Sequence, residues 1–594
     1  MLKKVFFLLS RKEKRRGAMV LALVVVMAAL ETAGVASVMP FLSVLANPEL
    51  VEENPALRAV YDRLGFRSVD SFLFALGAAS FALIIFSAAF RTLTHYAMNR
   101  FIEMRRHSIG ERLLETYLRQ PYAYFLNRHS GDMAKSILSE VDQLVQNVFR
   151  PGITMLAYIV VTLGIITLLV AVNPVLATVV AALVGGMYAA VFVAIRGSLT
   201  RVGRDRVRAN QERFEAAGEA LGGIKDIKLL GREHAYLRRF REPSIRQARS
   251  QATNRTLSEV PKYAIEAVAV GGVIGLTLFL LATEGGAHEE AVGGVLPMLG
   301  LYAFAGYRLL PAAQKIYAGA ARLRFGGSTI NAAYEDLRER SRLAEIHKTP
   351  PERLSTRETV SLQNVSYRYP NAHRDALKNI TIDIPVGTSL GIIGTTGAGK
   401  TTLVDLLLGL LRPTRGDIAV DGRPITDENL RQWQQTLGYV PQDIFLTDSS
   451  VSENIALGVP PAQIDHDQVV KCATMAQVHQ FIERDMPKGY DTVVGERGVR
   501  LSGGQRQRIG IARALYHEPE VLVFDEATSS LDVDTEREVM ASIDGLSQQK
   551  TIIMIAHRLT TVSRCNQIVR LEGGRVTSSC DPAPVGVGAA DRGI

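Results

Sequence analysis

Gly394-Thr395-Thr396-Gly397-Ala398-Gly399-Lys400-Thr401 is the stretch whose reading decides the fold. It fits the phosphate-loop pattern G-x-x-x-x-G-K-[ST], in which glycines let the backbone curl around an anion with its N–H groups pointing inward. In that pattern Lys400 reaches the β- and γ-phosphates and the Thr401 hydroxyl ligates Mg²⁺. The run Ser389 to Ile393 before it reads as a buried strand, and the run Thr402 to Leu408 after it as a helix whose N-terminal dipole favours negative charge. Strand, glycine loop and helix in that order turn a pattern match into a nucleotide site. Gly394 through Thr402 are therefore the first candidate cofactor contacts.

Working outward, 594 residues are enough for two or more domains. Long apolar runs crowd the part before about residue 345, and ordinary soluble sequence follows. The net charge of +9 raises the question of a nucleic-acid partner. The densest basic cluster, Arg11-Lys12-Glu13-Lys14-Arg15-Arg16, directly precedes an apolar run. That is a positive-inside signal, which predicts a cytoplasmic N-terminus and no nucleic-acid partner. Cys472, Cys565 and Cys580 match no metal spacing, so free thiols in a reducing compartment are expected. The first apolar stretch is too long for a signal peptide and lacks a small-residue cleavage site.

Six candidate spans lie at about 18–45, 72–99, 150–172, 175–195, 260–283 and 291–318, each of sufficient length to cross a bilayer. Asn173-Pro174 separates the third from the fourth as a tight outer hairpin, and an even number of spans puts both termini in the cytoplasm. Between the first two, Asn54 as N-cap, Pro55 at the first helical position, and Leu57, Val60, Tyr61 and Leu64 at helical spacing predict a short outer helix ended by Gly65. It is either a solvated helix packed on the protein or a lipid-contacting one. The connections 100–148 and 196–256 are too long for loops and read as helices continuing into the cytoplasm. They reverse at Gln120-Pro121-Tyr122 and at Gly222-Gly223, natural docking points for a soluble motor domain. The expected layout is a membrane domain over 1–330, a linker over 331–357, a nucleotide-binding domain over 358–577 and a disordered tail over 578–594.

Further chemistry sits in the soluble half. The apolar strand Val521 to Phe524 ends in Asp525 and Glu526, one acid for the Mg²⁺ shell and one to polarise the attacking water. Leu501-Ser502-Gly503-Gly504-Gln505 opens a helix and makes a second anion-binding N-terminus. One nucleotide does not need two such cradles in one chain, so the second should close on the γ-phosphate held by another copy. Gln442 is an amide able to sense Mg²⁺ and the water, His557 could contact the γ-phosphate or be structural, and the Tyr369 ring could stack on adenine.

The ordered set Tyr369, Gly394–Thr401, Gln442, Leu501–Gln505, Asp525-Glu526, Ser530-Leu531-Asp532 and His557 resembles the nucleotide-binding domain of ATP-binding cassette proteins over about residues 358–575. The resemblance implies Tyr369 as the adenine-stacking residue, Gln442 as the Q-loop, Asp532 as the D-loop and His557 as the switch histidine. Glu526 is present, which implies a hydrolysing enzyme using ATP and Mg²⁺. Gly495-Glu496-Arg497-Gly498 resembles the segment through which exporters couple to their membrane helices. The fold class implied is an α-helical transmembrane domain of six spans, with long cytoplasmic extensions, fused to an α/β P-loop cassette domain: a half-transporter working as a homodimer.

For the cargo, cations inside spans are informative because each costs roughly 2.5–3.5 kcal/mol at mid-bilayer. Arg91, Lys262 and Arg308 would suit an anionic diphosphate head group. Alternatively they pair with Glu31, Glu259 or Glu266, or snorkel to water. Leu2-Lys3-Lys4-Val5-Phe6-Phe7, Ser37-Val38-Met39-Pro40-Phe41, Val260-Pro261-Lys262-Tyr263 and Tyr307 to Ala312 are similar to the PglK-type lipid-linked oligosaccharide flippases of bacterial protein N-glycosylation. That resemblance implies a polyprenyl-diphosphate oligosaccharide moved to the outer leaflet of the inner membrane, its diphosphate on the cations and its tail on the outer helix. Lys262 stands where the family pattern has arginine, keeping the charge but not the bidentate geometry. A drug, peptide or lipid A-type exporter is the alternative on the same architecture.

Overall fold

The structure is a computed structural model, and it describes residues 2–126, 130–259, 271, 274–275, 289–338, 351–370, 372–495, 498–527, 536–539, 541, 550–556 and 562–580. The chain divides into two compact units, one of Met1–Gln120 with Asn127–Ala344, the other of Pro121–Leu126 with Glu345–Ile594.

The first unit is helical. Among the described residues, three helices are long and apolar enough to cross a membrane: Arg11–Ala46, Val69–Leu118 and Gly131–Val172. The candidate spans near 175–195 and 291–318 fall within the helices Pro174–Gly222 and Glu289–Phe325. The candidate near 260–283 lies almost wholly outside the described residues. Val69–Leu118 has 50 residues, about 75 Å at 1.5 Å per residue, well beyond a hydrocarbon thickness of about 30 Å. Its apolar half packs through side chains such as Phe90 into a core of Met27, Val35, Val161, Ile165 and Leu301. Its polar half is tied by buried charge. Arg105 pairs with Glu13. Deeper still, Arg206 pairs with Glu140 at 3.0 Å and also donates to Thr329 at 2.8 Å, while Asn210 donates to the same glutamate at 2.9 Å. Two π-helical turns, Ser136–Glu140 and Val145–Phe149, flank that cluster.

The short helix expected between the first two spans forms over Pro55–Leu64. Asn54 Oδ1 accepts from the N–H groups of Ala56 and Leu57, and Gly65 at φ +72° ends it. Its apolar residues divide: Leu57 and Tyr61 pack against Val44, Val51 and Phe72, whereas Val60 and Leu64 are exposed.

The second unit holds two sheets. An antiparallel sheet runs β2-β1-β4-β5, with β1 Thr359–Tyr367, β2 Leu377–Pro385, β4 Arg415–Val420 and β5 Arg423–Pro424. The other runs β10-β9-β3-β8-β7-β6, with β3 Ser389–Gly394, β6 Leu437–Val440, β7 Val521–Asp525, β8 Thr551–Ile555, β9 Gln567–Glu572 and β10 Arg575–Cys580. Here β9, β3, β8, β7 and β6 are mutually parallel. Every residue of β7 and β8 is buried, as expected of parallel strands covered on both faces. Two boundaries shift from the sequence reading. The helix Gly327–Arg338 carries regular structure past residue 330, and β10 reaches Cys580 because it pairs with β9. The reversal segment Pro121–Leu126 belongs to the second unit, where Ala123 packs on the core around β1 and β3.

Trp433, the chain's sole tryptophan, is fully buried, and its Nε1 donates to Leu407 O at 2.7 Å. It thereby pins the helix that follows the phosphate loop. Trp433→Ala is expected to cost about 3–5 kcal/mol, seen by scanning calorimetry as a lowered transition of the full-length protein. A loss below about 1 kcal/mol, within the range of a surface substitution, would contradict this anchoring.

Candidate functional site

The site begins with strand register. Ile392 of β3 pairs with Ile555 of β8, and Ile555 pairs with Asp525 of β7. The carboxyl ends of three parallel strands are therefore level, with Asp525 about 10 Å from β3 at two strand spacings. Ligands of open α/β sheets bind outside such carboxyl ends.

Two residues past Ile392 the chain enters the glycine loop. Gly397 and Gly399 have φ of +82° and +103°, a region that penalises other residues. A Cβ at Gly399 would lie 2.7 Å from Leu377 Cδ2, and one at Gly394 2.4 Å from Leu571 O. The loop is thus tightly seated, and it feeds directly into the helix Lys400–Leu407. Lys400 is buried, with Nζ donating to Gly394 O at 2.8 Å and Thr395 O at 3.4 Å. Thr401 is exposed at the first turn, whereas Thr402 is buried. The Thr402 Oγ1 and the Tyr369 hydroxyl are 2.9 Å apart, and the Tyr369 ring lies edge-on to Tyr367. Tyr369 is therefore held beside the loop helix.

At the end of β7, Asp525 is buried and Tyr439 donates to its Oδ2 at 3.5 Å. Burial, and then the Glu526 carboxylate, push the Asp525 carboxyl up, while the Tyr439 hydrogen bond and Lys400 pull it down. Glu526 leaves the strand at φ +52°, an unfavourable conformation for a non-glycine residue. Gln442 Nε2 donates to Glu526 Oε2 at 2.7 Å, and Gln507 Nε2 to Glu526 O at 3.4 Å. Structure thus joins Gln442 and Glu526, residues far apart in sequence.

Asp405, missed in the sequence reading, is buried in the loop helix. Its carboxyl is pushed up to about 6 by burial and then by Asp525. The only sequence signal was a lone acid in the apolar run Thr402 to Leu408. Tyr122 joins this neighbourhood: burial, then Asp405 and Tyr369, raise its phenol.

Ser502 caps the helix Gly503–Tyr516 in a reciprocal box: Gln505 N–H donates to Ser502 Oγ at 3.2 Å, and Ser502 N–H to Gln505 Oε1 at 2.8 Å. Gln505 therefore shapes the helix start, and Leu501 is buried beneath it with its carbonyl accepting from Arg506. The N–H groups of Gly503 and Gly504 lie in this first turn, where an anion is favoured. His557, Asp532 and Lys262, expected as switch histidine, D-loop and cavity cation, lie outside the described residues, as do Glu496 and Arg497.

The residues fit Mg²⁺ and a nucleoside triphosphate. Gly394 and Gly399 leave no room for a Cβ, so backbone alone forms the turn there, Lys400 supplies a buried positive charge, and Thr401, Gln442 and Asp525 supply the hard oxygen donors Mg²⁺ takes beside phosphates and water. Asp405, Asp525 and Glu526 outnumber Lys400, so a divalent cation relieves the imbalance.

In the first unit, Arg91 and Arg308 converge on Glu31. Glu31 Oε1 lies 3.5 Å from Arg91 Nη1 and 3.9 Å from Arg308 Nη1. The Glu31 side chain is 5% exposed, against 39% and 17% for the arginines. The Arg308 guanidinium carbon lies 5.8 Å from the centroid of the Phe304 ring, and among the described residues its buried Nε has no hydrogen-bond partner. The pairing considered from sequence therefore exists, and a single carboxylate serves both cations.

A phosphate-loop ATPase fold joined to apolar helices long enough to cross a membrane defines the class: an ATP-driven membrane machine. Residues 377–529 match the ABC transporter family, and residues 21–261 match the ABC transporter transmembrane region. An uncharacterized ABC transporter ATP-binding protein of Sinorhizobium fredii is 30% identical over 84% of each chain. An ATP-dependent lipid A-core flippase of Thiobacillus denitrificans is 32% identical over 77% of each. A solved bacterial Atm1-family ABC exporter with ATP bound superposes with a TM-score of 0.75 over 96% of this chain and 95% of that one, at 23% identity. The chain belongs to the ABC transporter family, with its transmembrane and ATP-hydrolysing regions in one polypeptide.

Gly399→Ala should weaken ATP binding by more than about tenfold, since it places a Cβ at a left-handed position and against Leu377. Equilibrium binding of a fluorescent ATP analogue checks this, and unchanged affinity would contradict the seating of the loop.

Proposed function

We propose that this chain is an ATP-driven flippase, working as a homodimer, that moves a polyprenyl-diphosphate-linked oligosaccharide from the cytoplasmic to the outer leaflet of the bacterial inner membrane. The observation that carries the cargo is the convergence of Arg91 and Arg308 on the single carboxylate of Glu31, a site with a surplus of positive charge. Lys262 is proposed as a third cation of the same site. A diphosphate presents oxygens to planar guanidinium forks better than a neutral or zwitterionic group does. The exposed Val60 and Leu64 of the outer helix support a contact with the lipid tail.

ATP with Mg²⁺ supplies the energy and the phosphoryl group on which the motor acts. The glycine loop and Lys400 bind the phosphates, Tyr369 holds the base, and Thr401, Asp525 and Gln442 hold the metal. Glu526 takes the proton from the attacking water, oriented with Gln442, to which it is already hydrogen-bonded. Ser502, Gly503 and Gly504 serve the nucleotide bound by the other copy, with Asp532 and His557 completing the composite site. Tyr122 lies within electrostatic reach of Asp405 and Tyr369. The termini and the nucleotide-binding domain face the cytoplasm.

A second reading, a lipid A-core flippase, is favoured by relatives of that description at 28–32% identity. It predicts that lipid A-core, not a polyprenyl diphosphate, is translocated.

Glu526→Gln should lower ATP hydrolysis by about a hundredfold or more while ATP still binds, and normal turnover would contradict its role as base. The double variant Arg91→Ala, Arg308→Ala should lower translocation of a polyprenyl-diphosphate glycan into the far leaflet of proteoliposomes more than about tenfold, given roughly 1.5–3 kcal/mol per charged hydrogen bond. Undiminished translocation would overturn the cation reading.

A further inference from the structure

We propose that the cations at the start of the first long helix, Arg11, Lys12, Lys14, Arg15 and Arg16, form a docking surface for anionic phospholipid head groups of the leaflet at which that helix enters the membrane. The inference holds for either cargo reading, since it involves neither Arg91 nor Arg308.

Glu13 is the sole acid in the run Arg11 to Arg16 and the natural counter-charge for its neighbours. The fold turns it inward instead. Glu13 is buried, its Oε2 accepts from Ser10 N–H at 2.7 Å in a capping box, and it pairs with the buried Arg105 of the helix Val69–Leu118. Its charge is satisfied inside the protein. Arg11, Lys12, Lys14, Arg15 and Arg16 are all exposed, and among the described residues none of them has an acidic partner. At 3.6 residues per turn they fan over about 200° of the helix, with Glu13 on the remaining arc. Cations in a first turn oppose the helix dipole, so helix stability gives no reason for them there.

One turn further on, the same face becomes apolar. Met19, four residues after Arg15, is exposed, as are Leu21, Val25 and Val26. The stripe through Glu13 is the buried one and continues through Val20, Val24 and Met27. The exposed face of this helix therefore carries positive charge at its start and apolar side chains beyond it. That sequence of surfaces fits the charged head and the acyl chains of a lipid, and not a soluble polyanion such as a nucleic acid. The preceding helix, Leu2–Leu8, adds the exposed Phe6 and is fastened to the protein. Lys4 donates to Asn331 at 2.9 Å, the Phe7 and Tyr334 rings meet edge-on at 4.9 Å, and Arg112 donates to Leu8 O. Head groups held at the cations thus grip a segment fixed to the helices Val69–Leu118 and Gly327–Arg338.

The test uses full-length protein in phosphatidylcholine vesicles doped with spin-labelled phosphatidylglycerol or spin-labelled phosphatidylcholine. The label immobilised at the protein is read by electron paramagnetic resonance. The wild type should favour phosphatidylglycerol by more than about fivefold, the factor that one cation supplies near an anionic surface. That preference should fall toward parity at about 1 M salt, where the screening length is about 3 Å. Replacing all five cations by Gln should remove most of it. Should that variant fail to insert or fold, Arg11→Gln with Arg15→Gln, which retains Lys12, Lys14 and Arg16, should lower it by a smaller factor. Inorganic phosphate added at constant ionic strength should not compete. A preference unchanged in the folded variants, surviving high salt in full, or displaced by inorganic phosphate would overturn the proposal.

Discussion

The level register of β3, β8 and β7 is the constraint on which the nucleotide site depends. Because Ile392, Ile555 and Asp525 pair across three parallel strands, the glycine loop and the acidic pair emerge at the same sheet edge. A one-residue slip of β7 would turn Asp525 to the other face. The fully buried residues of β7 and β8 prevent that slip, since every position is locked by packing on both sides. Chemistry at this edge is therefore held by the hydrophobic core beneath it.

Both functional regions use deliberate charge imbalance. At the nucleotide edge, Asp405 and Glu526 both bear on Asp525, which has Lys400 within reach, and burial first, then the neighbouring carboxylate, raises the carboxyls of Asp405 and Asp525. A divalent cation reverses it. In the membrane unit the sign is opposite, with two arginines on one glutamate. Each site is thus unsatisfied in the direction that its proposed ligand corrects. The buried cluster at Arg206 is balanced by contrast: Arg206 donates to Glu140 and Thr329, and Asn210 donates to the same glutamate, which makes that cluster structural.

The nucleotide domain was largely legible in sequence, because its motifs carry their own local geometry. A glycine loop after an apolar strand, and acids at the end of another, need no tertiary information to be recognised. What could not be read was pairing between distant segments. Asp405 is an unremarked acid until the fold sets it near Asp525, and Gln505 reads as a ligand until its amide is found closing the capping box with Ser502. The hydrogen bond from Gln442 to Glu526 likewise depends on β6 lying beside β7. In the membrane half, span composition revealed Arg91 and Arg308, but not that Glu31 serves both, because that sharing spans three helices. Tail and linker boundaries slipped where tertiary pairing extended regular structure, as with β10 held to Cys580 by β9.

The central claim is that an anionic polyprenyl-diphosphate head group is the cargo of this ABC transporter. The most direct measurement is ATP-dependent translocation by the wild-type protein in proteoliposomes carrying both a polyprenyl-diphosphate glycan and lipid A-core, each labelled separately. The account predicts that only the polyprenyl-diphosphate glycan reaches the far leaflet, at a rate that depends on ATP. Translocation of lipid A-core with the glycan left behind would contradict it.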